Sequence, residues 1–434
     1  MKFLILPNQL FDIKYLKNLK LDITEFICYE HPQYFKKFKY NKKKLILHRA
    51  SLKYYFDHLK KLKYNVTYLD FNDKLSAGVY HLFDPIDKIA LPKKHVIYDS
   101  PNFMLSNKLC EEYRKKTKNF FFNAFYMWSK KQLDILPSIK SQDKENRKTL
   151  PKGITIPKLP KIKQSQYISE AITYVKSNFN NNYGDLEDFN YPISREEAKK
   201  WLSHFIQKKF KVFGDYQDFI DEDESFLFHS ILSSSINIGL INPSEIIEEI
   251  MKIKSKIPLN SFEGYVRQLF WREYQRYCYK YFDFDKLNYF GNKKKLNKKW
   301  YSGDLNIVPI DNCIKKGFKT GYLHHIERLM VMGNFMNLYE LEPKEGYKWF
   351  MEFSCDSYEW VMKQNVLDMV FFVSGGKTMR RPYASSSNYV LKMSNYKKGE
   401  WCAEWDKLYH DFINRNEDKL YKYRYYFRSI KTKK

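Results

Sequence analysis

The first 136 residues alternate between two hydrophobic periods. Short apolar runs rich in β-branched and aromatic residues, among them KFLILP, EFICYE, NVTYLDF and HVIYDS, are typical of β-strands. Between the second and third runs, the segment KKLILHRASLKYYFDHLKKLKY carries apolar residues at helical spacing. Strands that alternate with helices are typical of a parallel sheet covered by helices. The pattern therefore predicts an α/β domain over residues 1–136.

The pattern changes after this region. The sequence becomes polar and rich in proline, as in LPKGITIPKLPKIKQ, which predicts an extended connection between domains over residues 137–190. Helical periodicity then dominates residues 191–434. Ser194 and Glu197 have the spacing of a capping box, so a helix is predicted to begin there. We expect a larger all-helical domain to follow the α/β domain.

Composition indicates the class of partner. The chain has 434 residues, of which 44% are hydrophobic and 18% aromatic, and this argues against disorder. The formal net charge of +26 favours an anionic partner such as nucleic acid, with lysines spread over solvated faces as an equal alternative.

No run reaches about 18 apolar residues, so no membrane span is expected. Six cysteines without a CxxC pair predict free thiols and an intracellular, cytoplasmic protein.

Two segments carry candidate chemistry. Adjacent residues on a helix point about 100° apart, so His324 and His325 in YLHHIERLMVMGNF cannot serve one surface in the same way. His325 shares a helical stripe with Arg328, and these residues alone favour a satisfied core histidine over a functional one. In FLFHSILSSSINIGL, hydroxyls ahead of a helix suit a diphosphate, with a solvated turn as an equal alternative.

A series of motifs along nearly the whole chain resembles one known family. In order, they are LHRASLKYYFDHL, YDSPNF, DKENRKTLPKG, FHSILS, EGYVRQLFWREY, HHIERLMVMGNF, DSYEWV and PYASSSNYVLKMSNY. The family is the prokaryotic cryptochrome/photolyase branch of deoxyribodipyrimidine photolyase-related proteins, of (6-4) photolyase type. The resemblance implies a photolyase/cryptochrome fold, with a Rossmann-like α/β domain and an all-helical domain. It also implies FAD, bound in a bent shape beneath a basic cavity for a flipped DNA lesion.

The resemblance implies three groups of site residues at matching positions. Those on the phosphate side of FAD are His229, Ser230, Leu232 and Ser233. Those that approach the flavin or its ribityl chain are Gln268, Arg272, Arg328, Met362 and Asn365. Those that face the lesion cavity are His325, Tyr383 and Tyr389.

The chain departs from the family at the iron–sulfur cluster that most members carry. Pro309, Lys397 and Glu400 stand where three of the four cysteine ligands are expected. Four thiolates are required to hold such a cluster, so we predict that none binds. Met362 also replaces an acidic residue near flavin N5, and a thioether cannot accept a proton from N5.

The resemblance also indicates an electron route and an antenna. We expect electrons to reach the flavin through Trp349 and then Trp300 or Tyr301. Gln9 and Glu30 are candidates for binding a ribityllumazine-type antenna, and a polar residue at a strand end is a nearly equal alternative.

The predicted function is light-driven repair of UV-damaged DNA, either single- or double-stranded. Blue light would excite reduced FAD, an electron would pass to a (6-4) photoproduct, and His325 would supply a proton. We expect a monomer, with Mg²⁺ as an aid to DNA binding and no metal ligand assigned. The alternatives are a cryptochrome-type blue-light photoreceptor without repair activity and a nucleic-acid-binding module with a vestigial flavin site.

Overall fold

The computed structural model describes residues 1–427 and begins with one five-stranded parallel sheet. The strands are β1 (Lys2–Ile5), β2 (Glu25–Tyr29), β3 (Val66–Leu69), β4 (Val79–Phe83) and β5 (Lys94–Tyr98). Their order is β3-β2-β1-β4-β5, and every neighbouring pair is parallel. The central strand β1 is almost completely buried, because its apolar run KFLI is covered on both faces.

Helices surround the sheet and then form the rest of the described chain. Up to residue 190 they are α1 (Ile13–Asn18), α2 (Lys42–Lys61), α3 (Asn107–Lys116), α4 (Phe122–Gln132) and α5 (Gln166–Asn178). Those that follow are α6 (Arg195–Lys208), α7 (Phe210–Tyr216), α8 (Ser233–Asn237), α9 (Pro243–Met251), α10 (Leu259–Tyr281), α11 (Lys299–Ser302), α12 (Val308–Thr320), α13 (Asn334–Leu338), α14 (Pro343–Phe353), α15 (Glu359–Met362), α16 (Ser387–Met393), α17 (Glu400–Arg415) and α18 (Glu417–Leu420). The predicted fold class, an α/β sheet followed by a helical region, is confirmed.

Shorter helical segments complete the chain. The 3₁₀-helices are Pro32–Tyr34, Asp143–Glu145, Lys254–Lys256 and Tyr421–Tyr426, and the π-helices are Glu327–Gly333 and Lys363–Val370. In the described part of the chain, no helix has both the length and the apolar character needed to cross a bilayer.

The long helix α10 runs through the interior and packs against α4, α7 and α15. Gly264 permits this packing, because a Cβ atom there would lie 3.1 Å from Nδ2 of Asn146 and 3.2 Å from Nε2 of Gln217. The helix thereby carries Gln268 and Arg272 towards the centre of the molecule.

The connection predicted to be extended over residues 137–190 contains one regular helix, α5. Ser165 caps it, with its hydroxyl accepting a hydrogen bond from the backbone N–H of Ile168 at 3.4 Å. Ile168, Ala171 and Val175 are buried at helical spacing, and the helix packs against α2. The expectation of an extended chain was therefore wrong for this segment, because an apolar stripe follows the proline-rich part. The boundaries at residues 136 and 190 stay predictions.

Candidate active site

The turn before α8 has a strained backbone. Ile231 adopts φ = 57°, in the left-handed region that a β-branched residue rarely enters. Such strain persists only where the surroundings impose it, and it is concentrated at functional sites. The turn buries His229 and Leu232 and leaves Ser230 and Ser233 partly exposed. The four residues predicted on the phosphate side of FAD therefore lie in one unusual turn.

Asp356 connects this turn to two of the predicted flavin residues. Its carboxylate accepts hydrogen bonds from Arg328 at 2.9 and 3.1 Å and from the hydroxyl of Ser233 at 2.6 Å. Its carbonyl accepts from Asn237 at 2.8 Å, and Oδ1 of Asn237 accepts from Nε of Arg272 at 3.1 Å. Burial by itself raises the pKa of Asp356, but Arg328 and the hydroxyl donors outweigh burial and lower that pKa. The carboxylate thus stays ionised beside Arg328.

Arg272 is an incompletely paired charge inside the protein. Its guanidinium packs over the rings of Phe103 and Trp360, at 4.3 and 4.8 Å. Nη1 donates to the carbonyl of Asn102 at 2.6 Å, whereas Nη2 has no hydrogen-bond partner among residues 1–427. Burial lowers the pKa of Arg272 to about 9. Because a buried N–H without a partner is costly, the position fits an anionic or polar ligand.

Two buried hydroxyls in α8 also lack hydrogen-bond partners in the part of the chain that the structure describes. The Oγ atoms of Ser234 and Ser235 are buried and lack a hydrogen-bond partner in the described chain. Guanidinium and hydroxyl donors are the groups that bind phosphate and flavin carbonyl oxygens. The donor set therefore fits FAD in its chemistry.

A narrow cavity lies between the two π-helices. Arg328, Met362 and Asn365 line it together with Phe350. π-Helical turns are rare and frequently occur at functional sites. Three of the predicted flavin residues thus share one cavity. A flavin ring is wider than this cavity, so binding would require the lining side chains to move apart.

Three histidines meet next to the strained turn. The rings of His229 and His324 stack with centroids 4.7 Å apart, and the ring of His325 lies 5.9 Å from each. Burial, together with the neighbouring imidazoles, lowers the pKa of His229 to about 3 and lowers the pKa of His324 as well. His325 differs, because its side chain is 37% exposed and its Nε2 lies 3.1 Å from Oδ1 of Asp218. The two histidines of the pair thus differ in burial, and His324 lies just before the helical segment that begins at His325.

Gln268 connects α10 to these histidines. Its Nε2 donates to Oε1 of Gln217 at 3.3 Å, and the carbonyl of Gln217 accepts a hydrogen bond from Nε2 of His229 at 3.0 Å. A residue predicted at the flavin is therefore two hydrogen bonds away from the histidine group.

Tyr383 and Tyr389 lie on the same side of the site as His325. Both are partly exposed, and each interacts electrostatically with Arg147. Nε of Arg147 lies 3.6 Å from Oδ2 of Asp218, the partner of His325. Burial raises the pKa of both tyrosines, so the phenols stay protonated. The structure thus brings together the three residues predicted to face a lesion. It adds Asp218 and Arg147, for which the only sequence signal was the DKENRKTLPKG motif around Arg147.

Trp349 adjoins the narrow cavity through its neighbour Phe350, whose ring centroid lies 5.3 Å away. Nε1 of Trp349 donates to the carbonyl of Trp300 at 2.7 Å, and both indoles are fully buried. The ring of Trp300 lies 5.4 Å from the ring of Tyr339, which is partly exposed.

A second series of ring contacts connects Trp349 through Tyr301 to the surface. The ring of Phe318 lies 5.7 Å from Trp349 and 5.8 Å from Tyr301. Tyr301 stacks on the partly exposed Tyr183, with centroids 4.2 Å apart, and donates its phenolic hydrogen to Oε2 of Glu352 at 2.6 Å. Sequence reasoning assigned no role to Tyr183 or Glu352.

The two antenna candidates already make internal hydrogen bonds. Glu30 is fully buried and accepts from Arg49 at 2.8 Å and from Tyr68 and Tyr174 at 2.6 Å each. Nε2 of Gln9 donates to a backbone carbonyl at 2.6 Å. The structure does not bring these side chains to an open polar site, and their antenna role stays a prediction.

Within residues 1–427, the one group of three or more possible metal ligands is His229, His324 and His325, whose ligand nitrogens lie within 4.8 Å of one another. No cysteine belongs to this group, and all six cysteines are buried free thiols. Pro309 occupies the first turn of α12, and Lys397 is exposed. That no iron–sulfur cluster binds stays a prediction.

The fold agrees with that of a similar protein of known structure. The family model for deoxyribodipyrimidine photo-lyase-related proteins matches residues 3–89 and 80–191. The chain is thus similar to this photolyase-related family over residues 3–191. It is 34% identical over 293 residues to the (6-4) photolyase of Agrobacterium fabrum, a match that covers 64% of this chain and 58% of that protein. The chain thus spans less than two thirds of the length of that relative.

Two further proteins are similar to the chain. Uncharacterized protein R855 of Acanthamoeba polyphaga mimivirus is 57% identical over 92 residues, which cover 21% of this chain and 75% of that protein. The crystal structure of a bacterial class III photolyase from Agrobacterium tumefaciens matches with a TM-score of 0.54 at 14% identity, covering 96% of this chain and 87% of that one. At this identity the structural match shows the fold alone.

Proposed function

We propose that the protein binds FAD and uses light to repair (6-4) photoproducts in DNA. One observation carries this proposal: the partly exposed His325, paired with the buried Asp218, precedes Arg328 by one helical turn, and Arg328 and Arg272 belong to one largely buried donor set. A solvent-facing proton donor next to a buried anion site is the combination that this reaction requires. The (6-4) photolyase of Agrobacterium fabrum supports the same assignment.

The donors described above would hold FAD. Nη2 of Arg272 and the hydroxyls of Ser234 and Ser235 would satisfy its oxygens, and Arg328 and Asn365 would lie along the ring. When bound and reduced, FAD would supply one electron upon light absorption. Met362 would adjoin the ring without exchanging a proton with it, because a thioether has no proton to give.

The cavity side of the site would receive the lesion. Tyr383 and Tyr389 would stack against a flipped base, and Arg147 with Arg381 would contact the flanking phosphates. Asp218 fixes the orientation of the His325 ring, which can then release a proton to the lesion.

The test is illumination of the reduced, FAD-loaded protein with an oligonucleotide that contains one (6-4) photoproduct. We expect light-dependent recovery of intact pyrimidines, and a loss of about 100-fold or more in His325→Ala with DNA affinity preserved. His58→Ala, at an exposed position near the end of α2, is the matched control and should repair normally. Equal repair by His325→Ala would remove this residue from the chemistry.

A cryptochrome-type photoreceptor is the second candidate, and the buried Met362 favours it. Without an acid near N5, the flavin would be less able to exchange protons during turnover. FAD binding together with tight DNA binding, but no repair of any lesion, would favour this candidate.

A further inference from the structure

Tyr425 and Tyr426 are the most exposed tyrosines of the described chain. Their exposed fractions are 85% and 53%, and both belong to the 3₁₀-helix Tyr421–Tyr426. A tyrosine ring offers a large apolar face that is usually buried against a neighbour or a ligand. Two adjacent rings in water therefore suggest an occupant that stacks on them.

The segment that carries these rings is fixed to the helical region. The hydroxyl of Tyr423 donates to the carbonyl of Gly375 at 3.0 Å, and Lys422 donates to the same carbonyl at 3.1 Å. The hydroxyl of Tyr289 donates to the carbonyl of Lys419 at 3.0 Å. The exposed tyrosines are thus held in position on an anchored segment.

The charge around the rings indicates an anionic occupant. Arg424 lies over the rings of Tyr421 and Tyr425, at 4.6 and 4.9 Å. From Lys419 to Phe427 the segment contains three cationic residues, Lys419, Lys422 and Arg424, and no acidic residue. Aromatic rings interleaved with cations are typical of surfaces that bind single-stranded nucleic acid.

The ring of Tyr426 also lies close to Tyr383, one of the residues predicted to face the lesion. The guanidinium of Arg381 lies 4.6 Å from the ring of Tyr426 and 5.3 Å from the ring of Tyr383. One cation therefore joins the exposed segment to a residue that we place at the lesion. A DNA strand that left the cavity along this side would meet Arg381 first and the exposed tyrosines next.

We propose that Tyr425 and Tyr426, which point in different directions from adjacent positions of a 3₁₀-helix, each stack on a separate unpaired nucleotide of the strand that flanks the lesion. Arg424, beside Tyr425, and Arg381, beside Tyr426, would contact the phosphates of those nucleotides. This inference rests on the proposed function, because it takes DNA as the partner and the cavity of Tyr383 as the lesion site. It adds to the lesion cavity a second site, which binds undamaged nucleotides.

The test measures the affinity of the FAD-loaded full-length protein for a lesion-free single-stranded oligonucleotide by fluorescence anisotropy. We expect Tyr425→Ala and Tyr426→Ala each to weaken binding about tenfold, since stacking contributes at this level per base. Tyr425→Phe should bind like the wild type, because it keeps the ring. The matched control is Tyr54→Ala, a partly exposed tyrosine on α2 that should leave binding unchanged.

Salt dependence separates stacking from charge. The slope of log affinity against log salt should be the same in Tyr425→Ala and the wild type, and smaller by about one in Arg424→Ala. In Tyr425→Trp, the indole fluorescence should be quenched when the oligonucleotide binds. Wild-type affinity in a Tyr425→Ala/Tyr426→Ala double variant would overturn the proposal. So would a double variant that changed only the oligomeric state, since the occupant would then be a second copy of the chain.

The two proposals can fail separately. Binding of a lesion-free strand requires no repair, so a protein without repair activity can still show the stacking surface. If the wild type repairs lesions and the Tyr425→Ala/Tyr426→Ala variant binds the lesion-free oligonucleotide with unchanged affinity, the stacking surface alone is disproved.

Discussion

Nε2 of His325 and Oδ1 of Asp218 lie 3.1 Å apart, although 107 residues separate them in the sequence. Asp218 comes from the loop after α7, and His325 from the segment before the first π-helix. The carboxylate fixes the imidazole at the point where the ring is still 37% exposed. In our account, this pair delivers the proton and Asp218 is a positioning residue.

Substitution of Asp218 tests that role. We expect Asp218→Ala to slow repair by about 10- to 100-fold while the affinity for DNA stays close to that of the wild type. Asp218→Asn should lose less, because its carbonyl oxygen can still accept a hydrogen bond from Nε2. The pH profile of repair should shift in both variants. Asp223→Ala, at an exposed carboxylate nearby, is the control. An unchanged pH profile in Asp218→Ala would contradict the role.

Removal of the Arg272 guanidinium separates ligand binding from stability. We expect Arg272→Met to weaken FAD binding by about 10- to 100-fold, because a charged donor is lost. The free energy of unfolding of the FAD-free protein should change little, since the removal of an incompletely paired buried charge offsets the loss of its hydrogen bonds to Asn237 and Asn102. Flavin titration and urea unfolding measure the two effects.

Arg276→Met is the matched control, one turn further along α10. Arg276 lies 3.9 Å from the buried Glu273 and donates to the carbonyl of Leu105 at 2.5 Å. Its loss leaves a buried carboxylate without its cation, so stability should fall while the flavin still binds. The reverse pattern in the two variants would contradict our assignment of Arg272.

Asp87 predicts a pH dependence of stability. Burial raises the pKa of Asp87 to about 7, and its Oδ1 accepts a hydrogen bond from the backbone N–H of Trp360 at 2.8 Å. Between pH 4 and 7, the folded protein keeps a proton that the unfolded chain has lost, so this group's contribution to stability falls as pH rises. The loss amounts to at most about 4 kcal/mol. Asp87→Asn should remove this slope, and urea unfolding at both ends of the pH window measures it.

The electron route has a branch that substitutions can resolve. Trp349→Phe should slow photoreduction of the flavin sharply. Tyr301→Phe should slow it more than Trp300→Phe does, because Tyr301 stacks on the partly exposed Tyr183 at 4.2 Å, whereas Trp300 makes only an edge contact, at 5.4 Å, with the partly exposed Tyr339. Equal rates in Tyr301→Phe and the wild type would assign the route to Trp300.

Glu352 gives the Tyr301 branch a pH dependence. Burial raises the pKa of Glu352, whose carboxylate accepts the phenolic hydrogen of Tyr301. Lys39, Lys348 and Tyr183 also face this carboxylate. A phenol that gives up an electron must also lose its proton, so photoreduction should slow as pH falls below the pKa of Glu352. Glu352→Gln should be slow at every pH, and a pH-independent wild type would contradict this step.

The sequence predicted the elements that local patterns determine. The parallel strands follow from apolar runs, and the capping box at Ser194 and Glu197 forms as its spacing indicates. The partners of the site residues were not predictable in this way. Asp356 accepts a hydrogen bond from Ser233, which is 123 residues away in the sequence, and Glu352 accepts one from Tyr301, which is 51 residues away. The hydrophobic periodicity of a single segment cannot predict such long-range contacts.

Other differences have local causes that one sequence cannot resolve. The segment around His325 has helical periodicity, but its hydrogen bonds follow the wider π-helical spacing from Glu327 to Gly333. An apolar stripe cannot distinguish the two spacings over so few residues. The family resemblance made Glu30 an antenna candidate, with a polar residue at a strand end as the alternative, and in the structure Arg49 and two tyrosines donate hydrogen bonds to its carboxylate.

Titration of the purified protein with FAD tests the central claim most directly. Our account predicts one FAD per chain, affinity reduced by Arg272→Met, and a flavin close enough to Trp349 that its fluorescence is quenched on binding. A protein that binds no FAD at any concentration, or that binds it equally well after Arg272→Met, would contradict the account.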